Sequence, residues 1–90
     1  MSAITRESVP ALVPMFRFQW EAAQECHVLL YPEGMVRLSS SAGEILKRVD
    51  GDRSVADIVA DLKAAFPGAD LEQDVLNFLD QARANGWIRA

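Results

Sequence analysis

The chain's one cysteine and one histidine are neighbours, Cys26 and His27, and a thiol beside an imidazole is the pairing from which a nucleophile and its base are made. They stand in the apolar run "CHVLLY", which has the composition of a strand. Successive strand residues point to opposite faces, so these two side chains cannot meet and the dyad fails on geometry. A metal site needs more histidine or cysteine ligands than the chain has, and its carboxylates are scattered over helix surfaces instead of converging. No glycine-rich loop suited to cradling phosphate is present: Gly34, Gly51, Gly68 and Gly86 each stand near a turn or a helix end. Gly43 is the exception. It falls early in a predicted helix, where glycine costs up to about 1 kcal/mol relative to alanine, so close packing against another element is its expected role. These residues predict no catalytic site and no cofactor.

Composition narrows the remaining classes. The 90 residues carry nine Lys and Arg against thirteen Asp and Glu, a net charge of −4, which gives a nucleic-acid backbone no general attraction. One cysteine forms no intramolecular disulfide, as suits a reducing cytoplasm. No apolar run approaches the roughly 18 residues of a membrane span, and the N-terminus lacks a basic region followed by an apolar core. A cytoplasmic domain with no membrane association is expected. At this length the core is small, so ligands should bind at the surface or at an interface.

The elements follow from periodicity and punctuation. Residues 1–14 include Pro10 and Pro14 and show no period, which predicts an extended, mobile N-terminal arm; alternatively Val9, Leu12 and Val13 pack on the domain or on a second copy. Residues 15–90 form the domain proper. From Met15 strict alternation sets Phe16, Phe18 and Trp20 on one face of a first strand. Cys26 to Tyr31 and Met35 to Ser39 are the arms of a hairpin whose turn, Tyr31-Pro32-Glu33-Gly34, predicts a type I turn closed by a glycine bulge. Three helices come next. The first opens on a Ser41/Glu44 capping box and ends before Gly51, the second opens on Ser54/Asp57 and stops at Pro67-Gly68, and the third opens on Asp70/Gln73 and ends at Asn85-Gly86. The predicted fold class is α+β, a three-stranded antiparallel sheet followed by three helices, resembling a winged helix-turn-helix.

That shape makes a DNA-binding transcription regulator the alternative. The third helix presents Asp70, Glu72, Asp74 and Asp80 against a single Arg83, and the second presents Asp57 and Asp61 against Lys63, so phosphate would be repelled. An enzyme built around Cys26 is the other rival.

The runs "LLYPEGMVRLSSSAGEILKRVDG" and "IVADLKAAFPGADLEQDVLNFLDQARANGW" carry a more specific signal. With the YPEG turn, the Ser-x-x-Glu-Ile-Leu helix start, Asp50-Gly51 and Gly86-Trp87, the chain resembles the PqqD family over residues 15 to 88. The resemblance implies a recognition domain for a ribosomally made precursor peptide, a peptide chaperone in pyrroloquinoline quinone biosynthesis. Its peptide would be PqqA and its enzyme partner the radical S-adenosylmethionine protein PqqE. It further implies that the peptide adds as a strand beside the third strand, along Met35, Val36, Arg37, Leu38 and Ser39, next to the third helix; an open strand edge offers backbone partners in register.

On the third helix, at about 100° per residue, Leu71, Val75, Phe78 and Ala82 centre the expected core stripe, and Leu79 lies on its margin. Leu76 sits about 120° from the centre. Leu76, Leu79 and Arg83 are therefore expected to form one wall of the peptide groove, with Arg37 and Arg83 facing acidic peptide groups. The first hairpin arm has two apolar faces, His27/Leu29/Tyr31 and Cys26/Val28/Leu30. One packs on the helices, and the other is left to the N-terminal arm, to PqqE or to a homodimer.

Overall fold

Strict alternation in the sequence runs from Phe16 to Glu21, an apolar hairpin follows to Arg37, and there the main sheet forms. In the computed structural model, which describes residues 3–90, the order is β1 (Ala11–Leu12), β2 (Arg17–Glu21), β3 (Cys26–Tyr31), β4 (Gly34–Arg37), α1 (Ser40–Leu46), α2 (Val55–Ala65), α3 (Glu72–Ala84) and β5 (Ile88–Arg89). β2, β3 and β4 make an antiparallel three-stranded sheet with β3 in the middle, and β1 pairs with β5 in a separate ribbon. The protein is thus α+β.

One face of the main sheet packs on the helices. Leu29 and Leu38 join Ile45 and Leu46 of α1, Ile58 and Leu62 of α2, and Val75 and Leu79 of α3 in a single buried cluster. Toward the open end of β2 the same face is aromatic: Phe18 stacks on His27 with ring centres 4.7 Å apart, and Trp20 meets His27 edge-on at 5.1 Å. His27 in turn abuts α1 at Gly43, where an added Cβ would lie 2.8 Å from Nδ1. The close packing expected of Gly43 is therefore present.

Several boundaries depart from expectation. Tyr31 pairs with Gly34, so the hairpin loop is Pro32-Glu33 alone. Neither Glu33 nor Gly34 has a positive φ, and no glycine bulge forms. Gly34 leaves room for the Tyr31 ring, whose hydroxyl would stand 3.3 Å from an added Cβ. β4 ends at Arg37 instead of Ser39: Leu38 still donates to the His27 carbonyl at 3.0 Å, but Ser39 has become the cap of α1, its hydroxyl accepting from the Ala42 N–H at 3.2 Å. The Ser41/Glu44 box is not made, because Ser41 already lies inside α1, and Glu44 engages Arg48. The Ser54/Asp57 box is complete. α3 starts at Glu72 without a side-chain cap, and Gln73 donates to Asn77 one turn on.

Residues 4–13 are tied to the body. The carbonyls of Arg6 and Ser8 accept from Ala56 and Val55, N–H groups that the first turn of α2 leaves without intrahelical partners. The Ile4 N–H donates to Asp80 Oδ1 at 3.0 Å, and the Ile4 side chain is buried. Leu12 packs against the core, whereas Val9 is exposed. Trp87 and Ile88 return to this segment, Val13 donating to the Trp87 carbonyl at 2.9 Å.

Candidate functional site

β4 is an edge strand, and the alternation of an antiparallel ladder decides which of its backbone groups are free. Because Leu38 donates to His27, the opposed pairs Leu38/His27, Val36/Leu29 and Gly34/Tyr31 are the hydrogen-bonded ones. Met35 and Arg37 therefore turn their N–H and C=O groups outward, and among the described residues no strand lies beyond them. Their side chains lie on the face away from the helices. Met35 is 40% exposed, and Arg37 is exposed with no ion pair among the described residues. Val36 points inward against the core, and Leu38 is part of it.

Where β4 gives way to α1, the surface sinks into a groove of about 590 Å³. Ser39 to Ala42 and Ile45 form one side; Leu62 and Phe66 close the far end; Leu71, Asp74, Val75 and Phe78 of α3 form the other side. Phe66, the residue on which α2 ends before Pro67-Gly68, is 44% exposed. The walls are thus largely apolar, and open aromatic surface in a groove is a feature that isolated domains seldom leave without use.

Two carboxylates rim the groove. Glu44 accepts from Arg48 at 2.9 Å, and the same guanidinium also donates to Asp61 and to the Glu44 carbonyl. This hydrogen bond is the main reason the Glu44 carboxyl is held below the usual range, against the opposing effect of its partial burial. Asp74 has no ion pair among the described residues and is exposed.

Leu76, Leu79 and Arg83, the α3 residues expected to wall a peptide groove, do not line this one. Leu79 has no exposed surface and sits in the centre of the core with Val75 and Ala82. Phe78, expected in the core, is only half-buried and lines the groove. Leu76 lies on the opposite flank of α3, one turn from both Glu72 and Asp80. Glu72 pairs with Arg6 at 3.5 Å and Asp80 accepts from Ile4, so that flank faces the N-terminal segment. Arg83 lies on the same flank, half-buried, 3.9 Å from Asp80. The core arc of α3 is thus rotated from the expected stripe, and its free margin is the Leu71/Asp74/Phe78 side.

A smaller recess of about 350 Å³ adjoins the groove across Ser39, Ser40 and Glu44, bounded by Trp20, Glu25, Cys26 and His27. Cys26 and His27 project from opposite faces of β3, with the imidazole held between Phe18, Trp20 and Gly43. On the outer face Val28 is fully buried between its cross-strand neighbours Gln19 and Arg37, leaving Leu30 and Met35 partly open. Among the described residues no three His, Cys, Asp or Glu side chains converge as metal ligands do, and no helix is long and apolar enough to cross a membrane.

Known proteins share this arrangement. The family model described as coenzyme PQQ synthesis protein D (PqqD) matches residues 26–88, from β3 through β5. The "PqqA binding protein" of Azotobacter vinelandii is 60% identical over 89 residues, which is 98% of this chain and 97% of that protein. That of Pseudomonas aeruginosa strain UCBPP-PA14 is 58% identical over the same shares. The solution NMR structure of the PqqD truncation of Methylobacterium extorquens PqqCD, a functional and stand-alone recognition element for ribosomally synthesised and post-translationally modified peptides, has a TM-score of 0.82 and 30% identity, covering 98% of this chain and 96% of that one. The crystal structure of PqqD from Xanthomonas campestris has a TM-score of 0.57 and 35% identity, covering 98% of this chain and all of that one. A match of this extent, together with the shared sheet and helices, makes the chain a member of the PqqD family.

Proposed function

We propose that this chain is a non-catalytic peptide chaperone of pyrroloquinoline quinone biosynthesis: it binds the precursor peptide PqqA as a strand added to β4 and presents it to the radical S-adenosylmethionine enzyme PqqE. The observation that carries this reading is the outward-facing backbone of Met35 and Arg37, two residues along the chain from an open, largely apolar groove that begins at Ser39. An extended peptide on that edge gains main-chain hydrogen bonds worth about 0.5–1.5 kcal/mol each, with little demand on sequence. Its groove-facing side chains then supply selectivity against Leu71, Phe78 and Phe66. The name borne by close relatives, PqqA binding protein, supports PqqA as the peptide.

The acidic surface of α3, with Glu72, Asp74 and Asp80 exposed or half-exposed, gives the DNA-regulator reading nothing to build on. The outer face of the sheet, where Leu30 and Met35 stay partly open, is the docking face of this reading, for PqqE or for a second copy of the chain. Sedimentation of the chain alone and with PqqE separates the two. The assembly belongs to the reducing cytoplasm, where a free cysteine such as Cys26 needs no partner.

The test is an amide NMR titration of the labelled chain with synthetic PqqA. Shifts concentrated on Met35 to Ser39 and on Leu71 to Phe78 are expected. Shifts confined to the β1–β5 ribbon or to β2, or no binding, would overturn the proposal.

A further inference from the structure

Two carboxylates, Glu44 and Asp74, are the charged side chains of the groove, and only one of them has charge to spare. Glu44 is held by Arg48, whose guanidinium is shared with Asp61. The Ser39 hydroxyl already accepts from Ala42 as the cap of α1. Asp74 stands on the same wall as Leu71 and Phe78, exposed, with no ion pair among the described residues. An extended chain places residues i and i+2 on one face, roughly 6.5–7 Å apart. A large apolar side chain lodged against Leu71 and Phe78 therefore brings the next side chain on that face within reach of Asp74 if it is long.

Resting on the reading of this groove as the precursor-peptide site, we propose that Asp74 selects the peptide by charge: it takes a lysine or arginine two positions from a large apolar residue seated between Leu71 and Phe78. A neutral or acidic residue at that position would leave Asp74 without a partner or face it with a like charge. The net charge of −4 works in the same direction, drawing a basic peptide toward the chain.

Asp74 also lies in the first turn of α3, where a carboxylate favours the helix whatever the ligand. That role would appear as a lower melting temperature in Asp74→Asn and would leave the salt dependence of binding unchanged. The experiment is isothermal titration of the full chain with synthetic PqqA at low and high salt, using wild type, Asp74→Asn and Asp74→Lys, with each lysine or arginine of the peptide replaced in turn by glutamate.

For an exposed pair, Asp74→Asn should weaken binding about two- to fivefold at low salt and flatten its salt dependence. Asp74→Lys should bind more weakly still and regain affinity with one particular glutamate-substituted peptide. If Asp74→Asn, folded as judged by its melting curve, binds PqqA with wild-type affinity and salt dependence, the proposal is overturned while the peptide-site reading stands. Absence of PqqA binding by the wild type would instead remove the reading itself. Should Asp74→Lys fail to fold, the near-isosteric Asp74→Asn decides alone.

Discussion

A Cβ on residue 43 would stand 2.8 Å from Nδ1 of His27 and 3.3 Å from its Cβ. Phe18 stacks on the imidazole and Trp20 meets it edge-on, so swinging it aside forfeits both contacts. Gly43→Ala should therefore destabilise the protein even though alanine is the better helix former. Overpacking of about 1–3 kcal/mol outweighs a propensity gain of up to about 1 kcal/mol. The expected fall in melting temperature is roughly 5–15 °C for a domain of this size. In a His27→Ala background the same substitution should be neutral or stabilising, and a thermal double-mutant cycle checks the coupling.

Leu76 reads differently in the structure than on a helical wheel. Seen as misplaced for the core, it invites a substitution such as Leu76→Asp that weakens peptide binding and spares the fold. In the structure it packs against the core on the flank that Arg6 and Ile4 approach. Leu76→Asp is now expected to cost about 1–3 kcal/mol, with a clear drop in melting temperature. The fraction that remains folded should bind PqqA as the wild type does, which titration at low temperature would reveal.

Acid should unfold the protein through the connection between α1 and α2. The Arg48 guanidinium holds Glu44 below the usual carboxylate range. Asp50 is lowered chiefly by the N–H groups of Asp52 and Arg53, each 2.9 Å from Oδ1. A carboxyl whose folded pKa is depressed stabilises the fold fully above its unfolded pKa, about 4 for these groups, and the contribution is lost as pH falls through the folded value. The melting temperature should hold steady between pH 7 and about 5 and decline below about 4. Glu44→Gln should lower it at neutral pH and make the acid decline shallower; an unchanged acid limb would exclude Glu44 from it.

What could be read from the sequence was local chemistry. The Ser54/Asp57 box, the end of α3 at Asn85-Gly86, and the small size needed at Gly43 all follow from residues near one another in the chain or from steric rules that hold anywhere. The β1–β5 ribbon escaped because two-residue strands carry no period; what pairs them is the return of Trp87 and Ile88 to the N-terminal segment. The cap of α1 moved from Ser41 to Ser39 because three adjacent serines are equally good caps by type and only the end of the hairpin selects among them. On α3 the apolar stripe has two margins, and periodicity cannot tell which of them tertiary contacts cover. The N-terminal segment covers the Leu76 side, so the open side falls to Phe78, Leu71 and Asp74, which spacing alone had assigned to core or solvent.

The register of β4 yields the sharpest test of strand addition, because neighbouring residues differ in where their N–H groups point. Proline at Val36 removes a donor that the ladder to Leu29 uses, and should lower the melting temperature markedly. Proline at Met35 or Arg37 removes a donor that only an incoming strand would use, at positions where an edge strand tolerates it. Met35→Pro and Arg37→Pro should therefore fold with nearly wild-type circular dichroism and melting temperature, yet lose PqqA affinity by about tenfold, the equivalent of one main-chain hydrogen bond near the top of its range. Arg37→Ala, which keeps the backbone donor, separates the loss of that donor from the loss of the charge. If folded Arg37→Pro and Met35→Pro both bind PqqA as tightly as the wild type, the peptide does not pair with this edge, and its site must be sought in side-chain contacts alone.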